Sequence, residues 1–130
     1  MTVTVKSASV YGIDGLIVDV ECYSYGTFQK FSLVGLPDTA VKEAYDRIKA
    51  AIKSSGIEFP NSAITVNLAP ADRIKSGTAF DLAILLAILK SDILATVNTD
   101  GKCFIGELSL SGDIRKVPGV LPMCLAAKAE

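Results

Sequence analysis

Histidine is absent from this 130-residue sequence, and its absence removes several kinds of chemistry at once. A Ser-His-Asp triad, a Cys-His pair and a metal centre with a histidine ligand are all excluded within the chain. The three cysteines, Cys22, Cys103 and Cys124, lie far apart and form no C-x-x-C pair. We therefore expect neither a zinc site nor a disulfide framework, and no bound metal; the thiols are interpreted as reduced groups of a cytoplasmic protein.

An excess of charge of one sign is also lacking, as are long hydrophobic runs. Thirteen basic residues stand against fourteen acidic ones, which argues against a strongly basic nucleic-acid-binding protein but leaves a local basic patch open. The most apolar segment, Ala79 to Leu89, would be about 16 Å long as a helix, whereas a bilayer core is about 30 Å thick. Met1 is followed by T-V-T-V-K, so no signal peptide is visible. These features predict a cytoplasmic protein without membrane contact.

Half of the residues are hydrophobic, and a chain of this length can form one domain with a core. Alternating apolar positions and turn residues predict strands, of which the first two form a hairpin around G-I-D-G, residues 12–15. Apolar stripes predict a helix between residues 38 and 56, a second over Ala79–Lys90 and a third after Pro118. The order βββαβαβα predicts an α/β sandwich (an α+β arrangement) with a mixed sheet. The predicted strands are Val3–Tyr11, Leu16–Tyr25, Phe28–Leu33, Ala63–Leu68 and Lys102–Leu108.

The first helix has a capping residue, Asp38, at its start and a glycine, Gly56, at its end. Basic side chains lie off its apolar stripe and are candidates for contact with nucleic acid, although Glu43 and Asp46 interleave with them. An ordinary solvated helix face remains the alternative. The candidates on this helix are Lys42, Arg47, Lys49 and Lys53.

The loop before the second helix has two features of interest. Thr78-Ala79-Phe80-Asp81 has the spacing of a capping box, which predicts that Thr78 and Asp81 cap the helix. Arg73 and Lys75 lie close to the same helix start and could bind an anion or nucleic acid there, with a solvated loop as the alternative. The helix itself has no polar face, so we expect it to be buried on both sides or to lie at an interface.

Two blocks, V-G-L-P-D-T-A-V-K at residues 34–42 and T-V-N-L-A-P-A-D at residues 65–72, resemble the N-terminal domain of the Mg-chelatase-like AAA+ ATPases. This is the bacterial competence-protein, or YifB-type, family, and the resemblance covers essentially the whole chain. It implies an AAA+ module with Walker motifs beyond residue 130, which agrees with a last helix that lacks a stop signal. ATP and Mg²⁺ are then expected only for the full-length protein. The resemblance further implies a ring of identical subunits that takes part in DNA processing, and residues 1–130 would be its truncated N-terminal domain.

The family's domain is similar in fold to the proteolytic domain of Lon and to the second domain of ribosomal protein S5. Lon-type peptidases use a Ser-Lys pair, and alignment of their motifs places Ala79 at the serine and Leu121 at the lysine of this sequence. A methyl and an isobutyl group provide neither a nucleophile nor its base. The resemblance thus implies a noncatalytic accessory domain that assists subunit assembly or the engagement of a substrate or partner. Two alternatives stay open: a direct nucleic-acid-binding module, and a Lon-like peptidase with Thr78 or Ser76 as nucleophile.

Overall fold

A computed structural model describes residues 2–92 and 94–130. Its main sheet has four strands in the order β1-β2-β4-β3. The hairpin partners β1 and β2 are antiparallel, β2 and β4 are antiparallel, and β3 and β4 are parallel. The mixed sheet of the α/β prediction is therefore confirmed. The strand bounds are β1 Thr2–Tyr11, β2 Asp14–Tyr25, β3 Lys30–Val34 and β4 Ala63–Ala69.

The predicted helix between residues 38 and 56 forms as two consecutive helices, α1 (Thr39–Lys42) and α2 (Ala44–Ser54). Asp38 caps the first of them as expected, because its carboxylate accepts a hydrogen bond of 2.9 Å from the amide of Val41. Gly56 follows the second with a φ of 77°. The amides at 56 and 57 donate back to the carbonyls of residues 53 and 52, which closes the end of the helix in a Schellman motif.

Two further helices, α3 (Asp81–Lys90) and α4 (Val120–Ala129), complete the molecule. Most of α3 is buried, as a helix without a polar face should be. It packs with α2 on the sheet face that carries the interior aliphatic side chains, whereas α4 packs against the turn end of the hairpin. Gly15 permits this close approach, since a side chain there would collide with the Pro122 carbonyl. No helix within the described ranges is both long and apolar enough to cross a bilayer.

The fifth predicted strand, Lys102–Leu108, is wrong in its extent. Cys103 makes only one parallel bridge with Lys6, and just Glu107–Leu108 (β5) forms a strand, paired with Ile114–Arg115 (β6). The hydrogen bonds of Gly106 explain the difference. Its amide donates to the Ala79 carbonyl at 3.0 Å and its carbonyl accepts from the Leu82 amide at 3.2 Å, so the backbone is bound to the start of α3 rather than to the sheet.

The three cysteines are free thiols, of which Cys22 is buried and Cys124 is exposed. Cys22 lies in the core, and its sulfur contacts the Ser91 hydroxyl oxygen at 3.8 Å. Burial raises the pKa of the Cys22 and Cys103 thiols, so neither is predisposed to act as a thiolate near neutral pH.

Candidate functional site

The loop between β4 and α3 is anchored from inside by a lysine. The Lys75 side chain is only 1% exposed, and its Nζ donates to the carbonyls of Gly35 at 3.0 Å and Arg73 at 2.7 Å and also to that of Pro70. Burial lowers the pKa of the Lys75 ammonium, while Asp72 opposes that shift. Contrary to the prediction, Lys75 is not accessible to an anion or a nucleic acid, because its three hydrogens point to backbone carbonyls.

The backbone of the same lysine also ties this loop to the turn that follows β3. The Lys75 amide donates to the Leu36 carbonyl, and the Asp38 amide donates to the Lys75 carbonyl, each at 2.9 Å. Arg73 stays on the surface, where its guanidinium carbon lies 5.0 Å from the centroid of the Tyr11 ring. Arg73 is therefore accessible, and its contact with an anion stays a prediction.

The predicted capping box of α3 does not form. Phe80 occupies the N-cap position without a side-chain hydrogen bond, and the Asp81 amide meets the backbone carbonyl of Thr78 at 3.3 Å rather than its hydroxyl. The Asp81 carboxylate instead accepts from Arg47 Nε at 2.6 Å and from Arg47 Nη2 at 2.9 Å. It also accepts from the Leu108 amide at 3.0 Å, which links α2, α3 and β5 through one buried group.

Arg47 is consequently not available as a nucleic-acid contact, contrary to the prediction. Its side chain is 18% exposed, and it donates a further hydrogen bond of 3.0 Å to the Ala40 carbonyl. The hydrogen bond with Asp81 raises the pKa of the guanidinium. The other three basic candidates of this region, Lys42, Lys49 and Lys53, are exposed and form no ion pair within the described part of the chain.

A cleft of about 370 Å³ lies where the loop before α3 meets the segment before α4. Ala79 forms part of its wall, next to Ser76 and Thr78 from the same loop and Ser9 from β1. The wall formed by residues 117–119 faces them across the cleft. Leu121 does not line the cleft; it is 70% exposed on the outer side of α4.

The chemistry open to this cleft follows from its lining. Three hydroxyls are present, those of Ser9, Ser76 and Thr78, but no lysine, arginine or carboxylate belongs to the lining residues. A serine or threonine hydroxyl needs a neighbouring base to become a nucleophile. Among the residues that the structure describes, no group of three or more carboxylates and thiols could hold a metal ion.

A second surface was missed by the sequence reasoning. Tyr23, Tyr25 and Phe28 form an exposed aromatic cluster, with ring centroids 5.5 Å apart for the two tyrosines and 6.1 Å apart for Tyr25 and Phe28. Side chains alternate between the two faces of a strand, and two tyrosines spaced two residues apart in β2 were the available clue. Beside the cluster, Gln29, Lys49 and Lys53 line a pocket of about 430 Å³.

Comparison with known proteins gives one family and several close relatives. The family described as subunit ChlI of Mg-chelatase matches residues 18–130. The competence protein ComM of Haemophilus influenzae is 42% identical over 125 residues, which cover 95% of this chain and 25% of that protein. The uncharacterized protein YifB of Salmonella typhimurium is 41% identical over 118 residues, which cover 90% of this chain and 23% of that protein.

A mycobacterial relative extends the comparison. The uncharacterized protein Mb2921c of Mycobacterium bovis is 38% identical over 125 residues, or 95% of this chain and 25% of that protein. The chain thus spans about a quarter of the length of the curated relatives it matches. The chain belongs to the ChlI family of Mg-chelatase-like proteins, and its resemblance to the competence and YifB type is confirmed.

Proposed function

We propose that this chain is a noncatalytic accessory domain of a Mg-chelatase-like AAA+ ATPase. The observation that carries the proposal is the lining of the cleft beside α3, which includes Ala79, the residue that the motif alignment puts at the serine of a Lon-type peptidase. Leu121, which the motif alignment puts at the lysine, is turned to solvent and is not among the lining residues of the cleft. A cleft whose hydroxyls have no base among its lining residues is better suited to packing than to catalysis, which supports a domain that assists assembly or the engagement of a substrate or partner.

The activity of the full-length protein belongs to the same proposal. The relatives are about four times as long as the matched segment, which leaves room for an ATPase module in addition to this domain. We assign ATP and Mg²⁺ binding, ring formation by identical subunits and action on DNA to the ATPase module of the full-length protein. We expect that protein to act in the cytoplasm. The ComM relative is named a competence protein, which supports a role for the whole molecule in the handling of DNA.

Deletion of this domain from the full-length protein tests the accessory role. ATP hydrolysis without DNA should persist, because the proposed catalytic module stays intact. Subunit assembly, measured by light scattering, or the stimulation of ATP hydrolysis by DNA should decrease. If both assembly and stimulation match those of the intact protein, the accessory role is wrong.

The peptidase alternative needs its own test. Casein or a fluorogenic peptide should remain uncut by the chain, since the lining of the cleft supplies no base to its hydroxyls. Hydrolysis that disappears in Thr78→Ala or Ser76→Ala, but not in the exposed control Ser111→Ala, would contradict the noncatalytic proposal.

A direct contact with nucleic acid is the second candidate function, and the exposure of Lys42, Lys49, Lys53 and Arg73 favours it. Arg47 and Lys75 no longer contribute, because both are engaged inside the protein. An electrostatic contact of this kind weakens as the salt concentration rises. Binding without any salt dependence would exclude it.

A further inference from the structure

The aromatic cluster of Tyr23, Tyr25 and Phe28 lies on the open face of the sheet. Tyr23 pairs with Thr2 of β1 on one side and Thr65 of β4 on the other, so polar side chains surround its ring. Because side chains alternate along a strand, these residues point away from Val20, Cys22 and Val66, which are buried under the helices. All three rings are about half exposed.

Within residues 2–92 and 94–130, no helix packs over these rings. The helices α2 and α3 pack on the opposite face of the sheet, through the aliphatic core. On the open face, α4 begins at the hairpin end, where Gly15 lies against Pro122, and its last residues reach Lys6 and Ile17. Gly15 lies near the start of β2, which begins at Asp14, and Tyr25 ends the strand, so the aromatic cluster occupies the end of the sheet away from the start of α4.

Lysines are placed around the same end of the sheet. Lys30 and Tyr25 both pair with Ala63, so they flank this residue from the two neighbouring strands. Lys49 and Lys53 stand one turn apart on α2 and share a pocket with Gln29, whose sequence neighbours are Phe28 and Lys30. The rings and Lys30 therefore lie on the open face, and Lys49 and Lys53 follow around the β3 edge of the sheet on its helix side.

The carboxylates nearest to this surface are partly engaged. Asp19 is paired with Lys6 at 2.8 Å, and Glu21 accepts a hydrogen bond of 2.6 Å from Asn67. Glu58 is the one carboxylate that lines the lysine pocket. Lys30, Lys49 and Lys53 are exposed and form no ion pair in the described part of the chain, so their ammonium groups stay open to phosphates.

We propose that this aromatic end of the sheet binds single-stranded DNA. Unpaired bases stack on Tyr23 and Tyr25, and the phosphates run past Lys30 towards Lys49 and Lys53. Exposed rings on a sheet face beside cations are the arrangement that binds single strands with little sequence preference, because every base has a flat face and every nucleotide a phosphate. The choice of DNA over RNA rests on the proposed function, whereas the surface is assigned independently of the cleft.

Fluorescence anisotropy with a labelled twelve-residue oligothymidylate tests the stacking. The chain should bind this probe saturably at low salt. Tyr23→Ala and Tyr25→Ala should each weaken binding about fivefold or more, since one stacked base contributes roughly 1–3 kcal/mol. Tyr→Phe at either position should preserve the affinity because the ring remains. Ile13→Ala is the control, an exposed apolar side chain on the hairpin turn at the other end of the sheet, and should have no effect.

The lysines are tested by the dependence of binding on salt. Each phosphate contact with a single strand contributes about 0.7 to the slope of log affinity against log salt concentration. Lys49→Gln combined with Lys53→Gln should therefore reduce the slope by about 1.4. The control pair Lys116→Gln and Lys128→Gln, which is exposed elsewhere, should leave it unchanged.

Several results would overturn the inference. A folded chain, shown by an intact circular dichroism spectrum, that does not bind the probe saturably would contradict it. Equal affinity for a duplex of the same length would also contradict it, because paired bases cannot stack on the rings. Tenfold tighter binding of oligouridylate would reject DNA as the ligand. Concentration-dependent dimerisation that the two tyrosine variants abolish would assign the surface to a second copy of the chain. In each case the accessory role would still stand on its deletion test.

Discussion

Lys75 and Arg47 connect segments that are distant in the sequence. Lys75 reaches the Gly35 carbonyl, 40 positions away, and Arg47 reaches Asp81, 34 positions away. Each cation is surrounded by oxygen acceptors, which offset the cost of taking its charge out of water. These two residues hold the loop before α3 and the helix itself in place beside the cleft.

Asp81→Ala is expected to destabilise the chain by about 3 kcal/mol. The substitution leaves Arg47 without its carboxylate partner and the Leu108 amide without an acceptor. We choose the lower end of the usual range for a broken buried pair because Arg47 keeps 18% of its side-chain surface in water. Equilibrium unfolding in urea measures the change in the free energy of unfolding.

Two variants serve as controls for that prediction. Asp46→Ala, an exposed carboxylate on the same helix as Arg47, should change the free energy of unfolding by less than about 0.5 kcal/mol. Arg47→Met combined with Asp81→Leu should recover much of the loss, since no charge then remains buried. A loss below about 1 kcal/mol in Asp81→Ala would mean that water replaces the carboxylate without cost.

The sequence predicts where these charges lie along the chain but not what they bind. A lysine in a polar loop and an arginine off an apolar stripe are usually solvated, and the nucleic-acid prediction followed that expectation. Their partners, Gly35 and Asp81, become neighbours only through the tertiary fold. The predictions for Lys75 and Arg47 therefore failed for one reason: the local sequence pattern contains no information on contacts with residues 30 or more positions away.

Elements whose boundaries depend on nearby residues were predicted well. Asp38 caps α1 three residues before the amide that it binds, and Gly56 ends α2 one residue after its C-cap. The spacing of Thr78 and Asp81 is equally suitable for a cap, yet it is not used. A helix cap contributes about 1 kcal/mol. The Asp81 carboxylate instead accepts charge-assisted hydrogen bonds from Arg47, which are stronger than the single bond of a cap.

The connection between β3 and α1 depends on one glycine, Gly35. Gly35 has a φ of 103°, and a Cβ at this position would lie 2.8 Å from the Leu68 amide nitrogen and still closer to the carbonyl of the same residue. Gly35→Ala should therefore cost about 3 kcal/mol, from backbone strain together with the collision against β4. The quantity to measure is again the free energy of unfolding in urea.

Gly56→Ala separates the two contributions. Gly56 has a similar backbone requirement, with a φ of 77°, but nothing lies within 4 Å of its ideal Cβ. This variant should cost only about 1 kcal/mol, the penalty of the left-handed conformation. Equal losses at the two glycines would show that β4 shifts easily and that the contact at Gly35 is unimportant.

At the scale of the whole molecule, apolar surface is distributed unevenly. The sheet is covered by helices on one face, whereas the outer side of α4 exposes Leu121 at 70% and Leu125 at 60%. Ile13, at the hairpin turn, and Leu125 line one further cleft of about 320 Å³. Exposed aliphatic side chains that adjoin one another favour burial against another surface, which agrees with a domain that functions beside other parts of a longer protein.

The double variant Leu121→Glu and Leu125→Glu tests this role without disturbing the fold. In the 130-residue chain it should change the free energy of unfolding by less than about 0.5 kcal/mol, because both side chains are mostly in water already. In the full-length protein it should weaken subunit assembly, measured by light scattering, because two charges would enter the surface that packs there. Ile74→Glu, an equally exposed aliphatic position on the loop before α3, should leave assembly unchanged. Normal assembly of the double variant would separate α4 from the accessory role and assign that role to another surface of the domain.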